Sequence, residues 1–410
     1  MVYFFIFVIL ALIFYIFKKQ NSMFVVHLKD YILPSIIVIL LILIVCFSSS
    51  SLIVARESFM LWVNNVIPSL LPFFICIEIL KKTNFLKIVG KALNPIMYPI
   101  FNVPGCGAFA LAMGITSGYP VGAKVASDLY LENLCSKTEA ERLIAFTNSS
   151  GPLFIIGAIG SGMFFDSKVG LLLFLTHFLS SITVGFLFRF YKRNDTSTDI
   201  IPQVSIKSKT SEALTFKNIG KAMGDAISKS ISTLLLIAGY IVFFAVLSNI
   251  LEQTGISSFF VNWINEILKF MHIPKEMSNG IFTGILEITN GINKISTLKG
   301  IEYAKCLPVV AFILGFGGFS VHMQVASIIA DAKLSTKPYL AGKLLQGIFA
   351  SIYTYLLMKF TNFFSLDVVE SFNYNTNGIK IVSESSNLLV VILTLVAIGI
   401  SIQIIRKMKI

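Results

Sequence analysis

Apolar runs of bilayer length recur from one end of this chain to the other, and no other feature constrains its fold as tightly. They occupy residues 1–17, 32–47, 60–80, 143–164, 169–190, 231–251, 308–330, 339–358 and 387–405. A helix needs roughly 20 apolar residues to cross the hydrocarbon core. In that solvent every backbone polar group must be paired within the protein. The expected fold class is therefore an all-α polytopic membrane protein with about nine transmembrane helices. Only 13% of the 410 residues are charged, and the mean hydropathy is +0.82. A soluble domain carries about 25% charged residues, so a water-facing globule of this length could not be coated. That excludes a cytosolic enzyme, a disordered chain and a nucleic-acid binder, in spite of the net charge of +12.

The basic residues orient the spans. With the N-terminus outside and the C-terminus inside, 24 of the 33 Lys and Arg, Arg142 and Lys343 among them, fall on inner loops, as the positive-inside rule expects. Lys269, Lys275, Lys294, Lys299 and Lys305 go against it, in one long segment where the rule is weaker. The first run lacks a basic n-region and a small-residue cleavage site, and Lys18 and Lys19 follow it. It reads as an anchor with its N-terminus outside rather than as a cleaved signal peptide. The expected organisation is anchor helices over 1–50, a first repeat over 51–191, a polar cytoplasmic loop over 192–230, a second repeat over 231–360, and a polar loop with a last helix over 361–410. Charge density also rises over 119–142, which reads as an inner loop carrying helical turns.

Two further apolar stretches, 105–117 and 279–291, suit re-entrant hairpins better than spans because they are only about a dozen residues long. They end in SGYPVG and TNG. Set at an offset of 173, Ile115-Thr116-Ser117-Gly118 meets Ile288-Thr289-Asn290-Gly291. Downstream, NSSGPLFIIG (148–157) takes the same place as GFGGFSVHMQ (315–324), each a small-residue break inside an apolar run. By the charge count the two copies start on opposite sides, which makes them inverted repeats. In transporters of that design, broken helices aim their dipoles and unpaired backbone groups at substrate and ion. Non-helical backbone at membrane depth must line a cavity or be buried in protein, so the breaks are the place to look for a site.

Glu287 stands alone inside GILEITNG. A carboxylate at bilayer depth costs roughly 2.5–3.5 kcal/mol, which makes it a functional candidate by default. It could bind a cation, carry a proton or bond a solute; the competing reading pairs it with Lys294 at a hairpin mouth. Thr289 and Asn290 follow it, and Thr116, Ser117 and Tyr119 occupy the matching hairpin. Asn148, Ser149 and Ser150 precede Gly151-Pro152 and can offer amide and hydroxyl groups, although such residues are also ordinary turn formers. His322 and Gln324 lie within a span. His322 is either a buried histidine satisfied by a carbonyl or a proton relay to Glu287. His177 and Gln346 read as helix–helix hydrogen bonds. The chain has no GxSxG, P-loop or HExxH motif and no Cys/His cluster, and its five cysteines are dispersed. No enzyme activity, cofactor or metal is expected.

The runs TSGYPVGAK (116–124), SKTEAERLIAFTNSSGPLFIIGAIGSGMF (136–164), LEITNG (286–291) and GFGGFSVHMQV (315–325) resemble the YlbJ-type sporulation integral membrane proteins of spore-forming Gram-positive bacteria. The resemblance covers roughly residues 50–360. It implies two Gate, or nucleoside-recognition, domains distantly related to concentrative nucleoside transporters, and a role in forming the spore cortex. The expected partners are the lipid bilayer, from the composition, and a small polar solute (nucleoside-like or a cell-wall precursor) with a coupling ion, from the paired hairpins and the membrane-depth carboxylate, together with spore-envelope proteins; the leading reading is a transporter-like protein that moves or binds that solute. A non-transporting scaffold that recruits such proteins is the alternative.

Overall fold

The computed structural model describes residues 24–81, 95, 97–193 and 219–360. The spans read at 1–17 and 387–405, the loop 361–386 and most of the loop 192–217 lie outside them. Every regular element among the described residues is a helix.

The chain enters with α1 (Phe24–Cys46) and α2 (Ser48–Leu61), and the stretches Leu33–Cys46 and Ser48–Val66 meet at a bend of 95°. A π-helical turn over Trp62–Val66 leads into α3 (Ile67–Lys81). The apolar runs at 32–47 and 60–80 are thus joined by helix rather than by a loop. Then come a hairpin, α4 (Gly107–Ser117) and α5 (Val121–Leu131), and a broken helix, α6 (Lys137–Thr147) and α7 (Leu153–Met163), the second part of which is wound as a π-helix. The long helix α8 (Ser167–Phe188) closes this half.

The second half opens with α9 (Ile219–Gln253) and α10 (Ile256–Phe270). The same order then returns. The second hairpin is α11 (Ser278–Leu286) and α12 (Ile288–Ser296), and the second broken helix is α13 (Tyr303–Phe316) and α14 (Gly318–Asp331). The long helix α15 (Thr336–Phe360) follows and packs along α13, α8 and α6. Helix α9 begins at Ile219, well inside the stretch read as loop to residue 230, because Ala222, Ala226 and Ser230 form a buried stripe at helical spacing.

Four segments among the described residues have the length and apolar character of membrane spans: Ser167–Phe188, Ile219–Gln253, Tyr303–Asp331 and Thr336–Lys359. The bent Leu33–Val66 pair makes a fifth if taken as one span. The run at 143–164 is not one helix, since Asn148–Gly151 interrupts it.

The stretch 119–142 is not a loop. Its first part is the return arm of the hairpin. Its second part starts α6 through a capping box, in which Glu139 N–H donates to Ser136 Oγ (3.3 Å) and Ser136 N–H to a Glu139 carboxylate oxygen (2.8 Å). Of its charges, Glu139, Glu141 and Arg142 are buried, while Lys124, Glu132 and Lys137 stay exposed. The fully buried Arg142 donates to the carbonyls of Asn102 (2.8 Å), Tyr191 (2.7 and 2.9 Å) and Lys192 (2.8 Å), just past the end of α8. Glu141 accepts from Tyr191 Oη (3.1 Å) and from the backbone N–H of Ser335 (3.1 Å), so it ties α6 to the start of α15. A charge-dense segment reads as solvated unless a partner for each group is known, and here the partners are carbonyls distant in sequence.

Close backbone contact shapes both hairpins. A Cβ on Gly291 would lie 2.1 Å from Gly284 Cα, and one on Gly114 would lie 1.7 Å from the Thr147 carbonyl oxygen. Matching the hairpins by their breaks sets Glu287 against the Ser117–Pro120 turn. The sequence offset had set it against Gly114, which lies within α4.

Candidate functional site

Four breaks in helix meet at one place. Two are hairpin tips. Gly118, at φ +77°, turns the first, and Glu287, extended at φ −149° and ψ 124°, turns the second. The other two interrupt the broken helices at Asn148–Gly151 and at Gly317-Gly318, whose φ values are +92° and +66°. Left-handed backbone there is open to glycine at no steric cost. Each tip rests on the break of its own half. A Cβ on Gly118 would meet Gly151 N at 2.8 Å, and one on Gly318 would meet Gly284 O at 3.1 Å. Tyr119 Oη crosses between the halves and donates to Leu314 O in the last turn of α13 (3.0 Å).

A cavity of about 90 Å³ opens where the breaks meet, with room for several waters or a small polar group. Its polar lining is Ser117, Tyr119, Ser150, Tyr240, Glu287, Thr289, Ser320 and Gln324, and its apolar wall includes Leu70, Phe74, Leu153, Phe154, Ile237 and Ile241. An apolar wall with a few convergent polar groups is the usual form of a small-molecule site. Ser117 Oγ is buried and has no hydrogen-bond partner among the described residues.

Glu287 is both a structural and a site residue. Its carboxylate accepts from the backbone N–H of Thr289 (3.0 Å) and Asn290 (2.7 Å), capping α12. A negative charge is favoured at that positive helix end. A carboxylate has about four acceptor sites, so the group keeps capacity for a donor in the cavity beyond these bonds. Lys294 does not pair with it, because Lys294 reaches Glu252 at 2.7 Å.

The structure gathers six of the eleven sequence candidates around the cavity: Ser117, Tyr119, Ser150, Glu287, Thr289 and Gln324. The other five do not line it. Thr116 Oγ1 bonds back to Ala112 O (2.8 Å) within its own helix. Asn290 turns outward, donating to Ile241 O (3.0 Å) and accepting from Ser58 Oγ (3.2 Å). Ser149 accepts from Gln346 Nε2 (3.2 Å). The Asn148 carbonyl accepts from Lys343 (3.0 Å). His322 Nδ1 lies 3.1 Å from Tyr339 Oη, and no hydrogen bond joins it to Glu287, so the proton relay is not built here. Gln346 does meet His177 across α15 and α8 (3.3 Å), as the helix–helix reading expects.

Ser320, Tyr240 and Lys343 were missed. Ser320 lay inside the quoted GFGGFSVHMQ motif. Lys343 had been counted among the inner-loop charges, yet it is 0% exposed within α15. The available signal was its place in the apolar run 339–358, three residues before Gln346 and so on the same helix face.

A family model described as Gate, nucleoside recognition, matches residues 63–191. The sporulation integral membrane protein YlbJ of Bacillus subtilis (strain 168) is 38% identical over 314 residues, covering 74% of this chain and 77% of that one. Among solved structures, CNTnw in an inward-facing substrate-bound state gives a TM-score of 0.50 at 10% identity, over 73% of this chain and 76% of that one. A doubly substituted CNTnw in an outward-facing state also gives 0.50, at 9% identity, over 81% and 85%. At such low identity these two structures carry the fold alone.

Proposed function

This chain belongs to the YlbJ family of sporulation integral membrane proteins, and from that premise we propose that it binds and moves a small polar solute needed for spore cortex formation. It is a multi-pass membrane protein with a transporter-like fold. The observation that carries the proposal is the convergence of four helix breaks on one cavity. A compact membrane scaffold has no need of unpaired hydroxyls and a capping carboxylate around an internal space, whereas a solute site does.

The division of labour follows from the lining. Phe74, Phe154, Leu70 and Ile237 exclude water on one side. Ser117, Ser150 and Gln324 offer hydroxyl and amide groups, and the remaining acceptor capacity of Glu287 takes a hydroxyl or amine of the solute. A nucleoside or a hydroxyl-rich cell-wall precursor presents such donors. The repeated hairpin and broken helix then supply two matching halves around one site, and the charge count orients them as inverted repeats.

The test is ligand binding by purified full-length protein, screened across nucleosides and cell-wall precursors, with Glu287→Gln in parallel. Saturable binding that weakens in the variant supports the reading. No binding across the panel, together with normal heat-resistant spores from a Glu287→Gln strain, would overturn it. If replacement of the loops 192–217 and 360–386 abolished sporulation while cavity substitutions were tolerated, a partner-recruiting scaffold would be favoured instead.

A further inference from the structure

Lys343 is a buried amine, 0% exposed, with no carboxylate partner among the described residues. Its Nζ instead donates to three oxygens of different kinds: Gln346 Oε1 (2.7 Å), the Asn148 carbonyl (3.0 Å) and Tyr119 Oη (3.3 Å). The Tyr119 ring presents its face as well, with the centroid 5.0 Å from Nζ. An ammonium has three protons to donate, and these three acceptors account for all of them.

The surroundings explain why a positive charge is held there. The Asn148 carbonyl stands at the C-terminal end of α6, the negative end of that half-helix. Tyr119 Oη gives its own proton to Leu314 O in the last turn of α13 and turns a lone pair toward Lys343. A Cβ on Gly317, the residue that ends α13, would lie 3.4 Å from Lys343 Cε. The negative end of α6 therefore meets Nζ directly, and that of α13, from the other half of the fold, reaches it through the Tyr119 hydroxyl. In broken-helix transporters, unwound carbonyls and half-helix C-termini are what coordinate a coupling cation.

We infer that Lys343 is a tethered cation: its ammonium fills a monovalent-cation site at the crossing of the two broken helices, so that this protein binds no free sodium there. The inference deepens the solute reading by assigning the ion of the same core, yet its test needs no solute. Removing the side chain back to the β-carbon should vacate a site that a small free cation can enter.

The experiment measures thermal unfolding of purified full-length protein in detergent at constant ionic strength, with sodium, potassium, choline or n-butylammonium chloride. Wild type is expected to unfold at the same temperature in every salt. Lys343→Met, similar in length but uncharged, should unfold several degrees lower in every salt. Lys343→Ala should be lower still, and should recover several degrees, saturably, with sodium or n-butylammonium but not with choline. A saturable sodium effect on wild type would overturn the inference, as would a Lys343→Met protein as stable as wild type. Lys343→Ala that responds to no cation would overturn it too. If Lys343→Ala fails to accumulate, wild type and Lys343→Met decide alone. Rescue in a protein that binds no solute would leave this inference standing without the solute reading. Solute binding by a sodium-responsive wild type would do the reverse.

Discussion

The hydroxyl of Tyr119 donates to the carbonyl of Leu314 at 3.0 Å, so the tip of the first hairpin is bonded to the broken helix of the second half. The two residues are far apart in sequence, and their bond is one of the direct polar links between the halves, beside those that Lys343 makes to Tyr119 and Asn148. Tyr119→Phe keeps the ring against Lys343 but leaves Leu314 O without its donor and Lys343 without one acceptor. Losing one partner of a buried bond costs about 1–3 kcal/mol. The variant should accumulate in the membrane and unfold at a lower temperature, with weaker solute binding. An unchanged unfolding temperature would show that the link contributes nothing to stability.

Glu287 separates two roles by the replacement chosen. Glutamine keeps an oxygen to cap α12 but removes the charge. Alanine leaves the N–H groups of Thr289 and Asn290, now satisfied at 3.0 and 2.7 Å, buried without acceptors. Loss of a cap costs roughly 0.5–2 kcal/mol. Immunoblots of sporulating cells should therefore show Glu287→Gln at near wild-type level and Glu287→Ala reduced. Both should fail in the assay for heat-resistant spores. Normal spores from the glutamine variant would remove the charge from the mechanism.

The membrane class and the order of elements were legible because they depend on length and apolar content, which the residues state directly. Three of the breaks were legible too, since Gly118, Gly151-Pro152 and Gly317-Gly318 are poor helix formers inside apolar runs. The fourth was not: the sequence points to Thr289-Asn290-Gly291, which lies inside α12, whereas the chain turns at Glu287, a good helix former. What the chain could not show was which way a polar side chain turns at a break. Asn290 sits one residue from Thr289 yet bonds to Ile241 and Ser58 on the other side of the hairpin. Arg142 and Lys343 were read as loop charge because a basic residue in a membrane chain is most cheaply placed in water. Their carbonyl partners come from sequence positions that no local pattern connects to them.

The second hairpin depends on a contact that only glycine allows. A methyl group on Gly291 would sit 2.1 Å from Gly284 Cα, against backbone that cannot yield as a flexible side chain would. Gly291→Ala should cost at least about 1–3 kcal/mol through overpacking, lowering both accumulation and unfolding temperature. Gly224→Ala is the control. It lies in helix α9 with nothing within 4 Å of the added methyl, and helix propensity should leave it neutral or up to about 1 kcal/mol more stable. Equal behaviour of the two variants would mean that the hairpin arms can separate freely.

Arg142 tests whether geometry or charge holds the end of α8. Its guanidinium spans the carbonyls of Asn102 on one side and of Tyr191 and Lys192 on the other, at 2.7–2.9 Å. A planar fork can serve acceptors in several directions at once, whereas an ammonium is a compact point charge. Bonds to a charged group contribute about 1.5–3 kcal/mol each. Arg142→Met should therefore lose most of its accumulated protein, and Arg142→Lys should recover less than half of that loss. Tyr191→Phe, which removes only the hydroxyl bonded to Glu141 at 3.1 Å, should be much milder. Membrane levels and unfolding temperatures of the three variants settle the order. If Arg142→Lys matched wild type, any positive charge at this position would suffice, and the fork would not be what binds these carbonyls together.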